Sequence, residues 1–187
     1  MRVLFSSQLL LLFTMLFFAN GAYSAQVCRA NTNLSAPDSR FIINNDGTVT
    51  DLETGLMWMR CTVGQSGAVC TGGASLLFTW DAALQYAEDI NFGAGISTFN
   101  DWRVPNVNEL ISLTETSCEN PSLNLNVFPL VNVNETYWSS TPSHVLTSGV
   151  ENKVWAAGYL GGTWKINGYG TRDSEYYLRL VRGGLHN

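Results

Sequence analysis

The sequence predicts an α+β fold, and two observations lead to this prediction. Short aromatic and β-branched runs between Gly, Asn and Ser turns, as is typical of strands, occupy residues 41–60 and the chain beyond Pro121. Between them, residues 79–91 and the stretch after Pro105 carry helical spacing and helix-start signals. Because strands and helices are segregated along the chain, we expect an α+β arrangement and not a parallel α/β sheet.

The composition is that of one folded, acidic domain. The chain has 187 residues, of which 45% are hydrophobic and only 13% are charged. A disordered chain lacks the apolar surface whose burial offsets the entropy of ordering, so this class is excluded. The formal net charge of −5 argues against a nucleic-acid-binding protein, which usually presents a basic face.

Residues 1–24 have the pattern of a secretory signal peptide. Arg2 supplies the positive start, and the uncharged run Leu9–Ala19 is too short to cross a bilayer core of roughly 30 Å. Cleavage after Ser24 puts Ala22 and Ser24 at the two small-residue positions. We therefore expect an exported protein in the periplasm, at the cell surface or secreted, with no stable membrane span after signal removal. An uncleaved N-terminal anchor is the alternative.

The rest of the chain divides into a lead-in and one domain. Residues 25–40 are polar and contain proline, and we expect them to lead into a domain that spans residues 41–184. The domain opens with apolar runs that are separated by Asn-Asn-Asp-Gly and Glu-Thr-Gly turns, in residue types that tolerate positive φ. Residues 41–60 therefore predict a β-meander.

Two helices and four later strands follow in the prediction. Thr79 is the expected N-cap of the first helix, and its apolar residues recur at Trp80, Ala83, Leu84, Ala87 and Ile90. Asn106 and Glu109 match a capping box at the start of the second helix. The predicted later strands are Tyr137–Ser140, Lys153–Leu160, Gly162–Ile166 and Tyr176–Arg182.

Four cysteines remain after the signal peptide: Cys28, Cys61, Cys70 and Cys118. An even count in an exported protein predicts two disulfides, with three possible pairings. We favour Cys61–Cys70, which closes a Gly-rich loop of hairpin size. That leaves Cys28–Cys118 to tie the lead-in to the domain. Zinc is the alternative, but no Cys-x-x-Cys pair is present.

Four motifs occur in order along the domain, within Asp46–Trp58, Asp101–Leu110, Tyr137–Ser140 and Arg179–Arg182. Their runs DGTVTD, TGLMW, DWRVP, EL, YWSS and RLVR resemble the Lcl C-terminal-domain family. This bacterial family, mostly of unknown function, is named after a collagen-like adhesin. The resemblance implies a C-type-lectin-like fold with two helices, a twisted antiparallel sheet and long loops. It also suggests adhesion or cell-surface interaction, although this chain has no collagen-like repeat.

A more distant resemblance links the chain to formylglycine-generating enzymes, which have the same fold. The similar segments are Arg103–Pro105, Gly161–Trp164 and Arg179–Val181. The chemistry of those enzymes needs cysteines in the C-terminal part, and here no cysteine follows Cys118. The likeness therefore implies a fold and no activity.

Aromatic residues near glycines form the first candidate ligand site. Tyr159, Trp164 and Tyr169 flank glycine-rich turns, and Lys165 and Arg172 lie nearby in the sequence. Exposed aromatics on loops are a reasonable platform for a sugar ring or a partner protein. The alternative is that these rings seal the edge of the core.

Acidic residues offer two further interpretations. Asp46, Asp51 and Glu53 are weak Ca²⁺ candidates, but their spacing does not match a Ca²⁺ loop, and turn-forming, solvated acids are the better interpretation. We expect no cofactor. The second set pairs carboxylates with guanidinium groups, which is a strong interaction near a core. We expect a structural network, with a ligand site as the alternative, formed by Asp101, Arg103 and Glu109 with Arg179 or Arg182.

Four tryptophans, Trp58, Trp80, Trp102 and Trp138, lie inside the motifs or on the helix face, and we expect them in the core. No catalytic constellation is visible, so we expect a non-enzymatic binding module that recognises a glycan or a surface protein. A structural or assembly subunit of an envelope complex or surface appendage is the alternative. A hydrolase or oxidase is the third and weakest hypothesis.

Overall fold

The computed structural model describes residues 26–129, 134–143, 153–159 and 165–183. In these ranges two α-helices, α1 (Trp80–Phe92) and α2 (Val107–Ser112), and a 3₁₀ turn at Asp38–Arg40 lie among short strands. The strands are β1 (Val27–Cys28), β2 (Phe41–Ile43), β3 (Thr48–Asp51), β4 (Met57–Met59), β5 (Gln65–Ser66), β6 (Gly72–Gly73), β7 (Leu77–Phe78), β8 (Cys118–Glu119), β9 (Thr136–Pro142), β10 (Lys153–Gly158), β11 (Lys165–Thr171), β12 (Tyr176–Tyr177) and β13 (Val181–Arg182). None of the helices described is long and apolar enough to span a membrane.

The strands pair mostly antiparallel, which confirms the α+β prediction. The predicted meander, β2-β3-β4, is completed by β13 into a four-stranded sheet with the order β13-β4-β3-β2. A five-stranded sheet has the order β11-β10-β9-β12-β7, in which β12 and β9 run parallel. β1 pairs with β8, and β5 pairs with β6. The described strands thus belong to four sheets, and the expectation of one twisted antiparallel sheet was wrong.

The last predicted strand, Tyr176–Arg182, is divided between the two larger sheets. This segment is two strands in different sheets, because β12 pairs with β9 and β7 whereas β13 pairs with β4. The three residues between them are buried, so the chain crosses the interior as it changes sheets. An apolar run does not reveal such a change of partner. The predicted strand Gly162–Ile166 lies partly outside the described residues, and the part that is described belongs to β11.

Both helices begin where their capping signals predict. At the start of α1, Thr79 Oγ1 accepts a hydrogen bond from the backbone N–H of Ala82 at 3.4 Å. At the start of α2, Asn106 Oδ1 accepts from the N–H of Glu109 at 2.9 Å. Glu109 Oε2 in turn accepts from the N–H of Asn106 at 2.8 Å, which completes the capping box.

Two hydrophobic clusters form the core, and they bury the predicted tryptophans. One cluster surrounds Trp58 and packs α2 against residues of both larger sheets. The other lies under α1 and contains Trp80, Trp102 and Trp138. All four side chains are at most 8% exposed, which confirms their assignment to the core.

Both predicted disulfides are present, Cys61–Cys70 and Cys28–Cys118. The first closes the loop that follows β4. The second joins β1 to β8, so it ties the N-terminal lead-in to the segment after α2. Two disulfides are typical of proteins that fold in an oxidising, exported environment.

The lead-in packs into the domain through a buried carboxylate. Glu115 is buried, and its oxygens accept hydrogen bonds from the backbone N–H groups of Ser35, Ala36 and Ser117 at 3.2, 2.8 and 2.9 Å. Burial alone would raise the pKa of Glu115, but these donors outweigh burial and hold the pKa below its usual value. Ala36 itself is fully buried in the core.

Candidate ligand-binding site

An open groove of about 540 Å³ lies between the β2–β3 turn and the loop after β4. One wall is formed by Ile43 and residues 44–47, the other by Arg60 and residues 65–68, and Ile96 also lines it. A second, more open depression, which includes Phe99, shares Ile43 and residues 44–46 with the first. We refer to this continuous feature as the hairpin groove.

Side-chain hydrogen bonds hold the first wall. Asp46 Oδ1 accepts from the backbone N–H of Thr48 at 3.0 Å and from its hydroxyl at 2.7 Å. Asn44 Nδ2 donates to the same hydroxyl oxygen at 2.8 Å. Gly47 has a φ of +84°, a conformation that L side chains rarely adopt, which explains the glycine at the end of the turn. The Asn-Asn-Asp-Gly segment is therefore a turn, as predicted.

Arg60 anchors the opposite wall to the rest of the domain. Its guanidinium donates from Nε to Val127 O at 3.0 Å, from Nη2 to Asn126 O at 3.2 Å, and from Nη1 to Ala68 O. The Cys61–Cys70 disulfide closes the same loop. All three guanidinium nitrogens thus donate to neutral carbonyl groups of the protein.

A third segment completes the groove. Ser97 Oγ donates to Asp46 O at 2.9 Å and so links the loop after α1 to the β2–β3 turn. Phe99 belongs to the same loop, and the guanidinium of Arg182 on β13 lies over its ring, with Cζ 3.8 Å from the ring centroid. Arg182 also pairs with Asp101, whose Oδ1 lies 2.6 Å from its Nε. The hydrogen bond therefore joins the loop after α1 to the β2–β3 turn, and the ion pair and the stacking hold that loop against β13.

The predicted aromatic platform is wrong at Tyr159. Its side chain is buried, and its hydroxyl donates to Leu110 O at 3.1 Å, so it belongs to the core and is closed to a ligand. Trp164 lies outside the described residues. Lys165 and Tyr169 lie on β11, and their side chains are outside the described part of the structure, so their ligand role stays a prediction.

The fifth residue of that platform, Arg172, has a partner in the protein. Its Cζ lies 4.4 Å from the centroid of the Trp80 ring, and its backbone oxygen accepts a hydrogen bond from the Trp80 N–H at 3.0 Å. This contact covers the start of α1. A cation stacked on an indole gains about 0.5–1 kcal/mol at an exposed site.

The predicted network separates into two ion pairs. Arg103 donates from Nη1 and Nη2 to Glu109 at 2.7 and 2.6 Å, and Arg182 forms the second pair with Asp101. The hydrogen bonds that Arg103 donates to the Glu109 carboxylate raise the pKa of Arg103. Burial alone would raise the pKa of Glu109. The hydrogen bonds from Arg103 and from the Asn106 N–H outweigh burial and hold this pKa below its usual value, so Glu109 stays ionised.

Arg179 does not take part in either pair, which corrects its assignment to the network. It is buried, and its Nη1 donates to Met59 O at 2.8 Å and to Arg60 O. Its Cζ lies 5.0 Å from the ring centroid of Phe128 and 5.4 Å from that of Tyr137. Carbonyl groups and aromatic faces therefore surround this cation in the core.

Replacing Arg103 with alanine is expected to destabilise the protein modestly and to leave ligand binding unchanged. The Arg103 side chain is 45% exposed, and Glu109 keeps its capping bond to Asn106, so we expect a loss of about 0.5–1.5 kcal/mol in the free energy of unfolding. Urea denaturation measures it. Arg29→Ala is the control, because the Arg29–Glu119 pair is exposed on both sides and should contribute close to nothing. A folded R103A protein that has lost binding would contradict a structural role.

The weak Ca²⁺ candidates do not converge on one point. Asp46 is a turn-forming acid, and Glu53 is exposed, as predicted. Asp51 is not solvated as expected, because it is fully buried and pairs with Arg40. Among the residues described, no three His, Cys, Asp or Glu side chains come together as a metal cluster would require.

Most groove residues escape sequence analysis. Ile43, Arg60, Gln65, Ile96 and Phe99 stand in no motif with a chemical signature. The usable signals are indirect: an Asn-Asn-Asp-Gly turn and a Gly-rich loop that a disulfide closes. Each identifies one wall, and neither shows that the walls face each other.

Comparisons with known proteins give one match. No curated protein and no solved structure matches the chain. A family model described as the Lcl C-terminal domain matches residues 47–182. The matched range begins at Gly47, the last residue of the β2–β3 turn, and contains both helices and both disulfide-bonded loop cysteines, Cys61 and Cys70. Since the model covers more than half of the sequence, the chain belongs to the Lcl C-terminal domain family.

Proposed function

We propose that the protein is an exported, non-catalytic binding module with a C-type-lectin-like fold that recognises a glycan or a surface protein. The two helices, the mostly antiparallel sheets and the family membership support the fold. The distant likeness to formylglycine-generating enzymes adds no activity, because the last cysteine is Cys118 and it is disulfide-bonded.

The hairpin groove is the observation that carries the binding role. It presents amide and carboxylate groups on one wall and apolar side chains such as Ile43 and Ile96 beside them. Binding sites typically combine apolar surface with a few placed polar groups. Turn hydrogen bonds and a disulfide hold the walls, so little ordering entropy is lost when a ligand binds.

A glycan array and an envelope pull-down with the oxidised protein, residues 25–187, test this function. Ile43→Arg places a charge in the groove and is expected to weaken binding at least tenfold. Ile42→Arg is the matched control, because Ile42 is the neighbour in β2, is 49% exposed against 43% for Ile43, and does not line the groove. The control is expected to bind like the parent.

Calcium is expected to have no effect on binding. The Asp51 carboxylate forms an ion pair with Arg40, and Asp46 Oδ1 accepts a hydrogen bond from the Thr48 N–H. Loss of binding in EDTA would contradict this expectation. Equal binding by I43R and the parent protein would refute the groove as the site. Stable co-purification with envelope proteins that bind I43R unchanged would favour the assembly-subunit alternative.

A further inference from the structure

Among the described strands, β2 lies at the edge of its sheet, which has the order β13-β4-β3-β2. Its ladder to β3 is continued by the Asn44 N–H, which donates to Thr48 O at 2.9 Å. Because bonded and non-bonded residues alternate in an antiparallel pair, the N–H and C=O of the preceding residue, Ile43, point away from β3. No group of the described residues pairs with them. An unpaired edge of this kind is a template for a further strand.

The free edge of β2 borders the hairpin groove. Ile43 is 43% exposed and lines both depressions that form the groove. Across the groove, Arg60 Nε donates to Val127 O at 3.0 Å. The residue after Val127, Phe128, packs its ring on Phe41 of β2, with 5.6 Å between the two centroids. The guanidinium of Arg60 therefore lies alongside β2, on the face of the sheet where Phe41 packs.

Arg60 has a charge that its surroundings do not neutralise. In the part of the chain that the structure describes, no carboxylate lies within ion-pair distance of its guanidinium. A guanidinium has five N–H groups, and Arg60 donates three of them to backbone carbonyls, so two remain. The three bonds fix the orientation of the group. A carboxylate can therefore accept from the remaining N–H groups at little cost in entropy.

A free edge beside a fixed cation suits an extended peptide with an acidic side chain. A peptide strand donates an N–H and offers a C=O at the same residue, which matches the two groups of Ile43. Arg60 then pairs with one carboxylate, and the exposed Asp46 on the turn disfavours a second. A second copy of β2 fits this edge less well, because its own Phe41 N–H already donates to Asp38 O.

We propose, building on the function proposed above, that the hairpin groove binds an extended peptide segment of a surface protein. The segment adds a strand to the free edge of β2, where one of its residues exchanges both backbone hydrogen bonds with Ile43. A carboxylate side chain of the segment accepts from the two remaining N–H groups of Arg60. The backbone bonds supply affinity, and the carboxylate supplies the sequence preference.

The first test uses capped heptapeptides, Thr-Val-Thr-Xaa-Thr-Val-Thr, with Glu, Gln or Lys at the centre, and calorimetry with the oxidised protein, residues 25–187. We expect the Glu peptide to bind about five- to tenfold more tightly than the Gln peptide, and the Lys peptide to bind most weakly. Arg60→Met is expected to remove the preference for Glu over Gln. Arg103→Met is the matched control, because Arg103 does not line the groove, and it should keep the preference.

Backbone N-methylation of the Glu peptide tests the added strand with the parent protein. At alternate residues, whose N–H groups face β2, a methyl group is expected to weaken binding about tenfold or more. At the residues between them the loss should stay within about threefold. Ile43→Pro removes the outward N–H and no ladder bond, which an edge strand tolerates, so it should also weaken binding. Ile43→Val keeps the N–H and is its control.

Equal affinity for the Glu and Gln peptides would overturn the inference, as would losses that do not alternate along the methylated peptides. Absence of binding by all three peptides would also overturn it, and the envelope pull-down with I43R then decides the proposed function separately. Circular dichroism establishes whether R60M and I43P are folded. If either is not, the Glu–Gln comparison and the methylated peptides still decide, because both use the parent protein.

Discussion

Replacing Asp51 with alanine is expected to lower the free energy of unfolding by about 3–5 kcal/mol. The Asp51 side chain is fully buried, that of Arg40 is only 7% exposed, and Arg40 Nε donates to Asp51 Oδ1 at 2.8 Å. Without the carboxylate, a buried guanidinium loses its close partner. The substitution also removes the acceptor for the Thr54 hydroxyl, 2.8 Å away, and for the Glu53 N–H, 3.0 Å away.

Glu53→Ala is the matched control, because Glu53 contacts the same guanidinium. Its Oε2 lies 3.2 Å from Arg40 Nη1, but its side chain is 68% exposed, so solvent screens the pair. We expect a loss below about 1 kcal/mol for this variant. Guanidinium chloride denaturation of the two variants and the parent measures the difference. A D51A protein no less stable than E53A would contradict the structural importance of the buried pair.

The same pair predicts a dependence on acid. Burial alone would raise the pKa of Asp51, but the hydrogen bonds from Arg40 and Thr54 outweigh burial and hold this pKa below its usual value. A carboxyl group whose pKa is lower in the folded state stabilises the protein above its unfolded pKa. That stabilisation is lost as the pH falls through the folded value. The parent should therefore lose stability below about pH 4, and more steeply than D51A.

Removal of the Cys28–Cys118 bridge is also expected to destabilise the folded protein strongly. The two cysteines are 90 residues apart, and the chain-entropy model gives about 4–5 kcal/mol for a loop of that length. The Cys61–Cys70 bridge spans 9 residues, for which the same model gives about 3 kcal/mol. We expect C28S/C118S to melt roughly 10 °C or more below the parent.

The double variant C61S/C70S is the comparison for this experiment. Each double variant loses one bridge and replaces two sulfur atoms with hydroxyl oxygens, so the two variants differ only in which bridge is removed. Differential scanning calorimetry of the two variants gives both melting temperatures under the same conditions. A larger loss for C61S/C70S would show that loop length does not determine the contribution of these bridges. It would point instead to the packing that the short bridge maintains around Arg60.

Features that depend on neighbouring residues could be predicted from the sequence. The caps at Thr79 and Asn106 use donors three positions further along the chain, and the meander follows from turns of a few residues. The helix and hairpin periods are set by the same local geometry. These elements therefore appear in the structure close to where their signals stand.

Features that depend on distant residues could not be predicted. The Tyr159 hydroxyl finds its acceptor at Leu110, 49 positions away, and no local pattern separates such a buried ring from an exposed one. The hairpin groove combines residues 43–47, 60–68 and 96–99, which meet through contacts such as that from Ser97 to Asp46. Its existence depends on how sheets and loops pack, and periodicity carries no information about that.

The 90-residue span of the long bridge predicts an order of oxidation for a chain that enters an oxidising compartment from its N-terminus. A chain delivered from its N-terminus presents Cys28 first, Cys61 and Cys70 next, and Cys118 last. Until Cys118 arrives, the thiol of Cys28 has only non-native partners. Cys61 and Cys70 close more readily, because loop closure costs about 0.6 kcal/mol more for each doubling of length. We therefore expect early closure of the short bridge to remove both wrong partners and to leave Cys28 unpaired until Cys118 emerges.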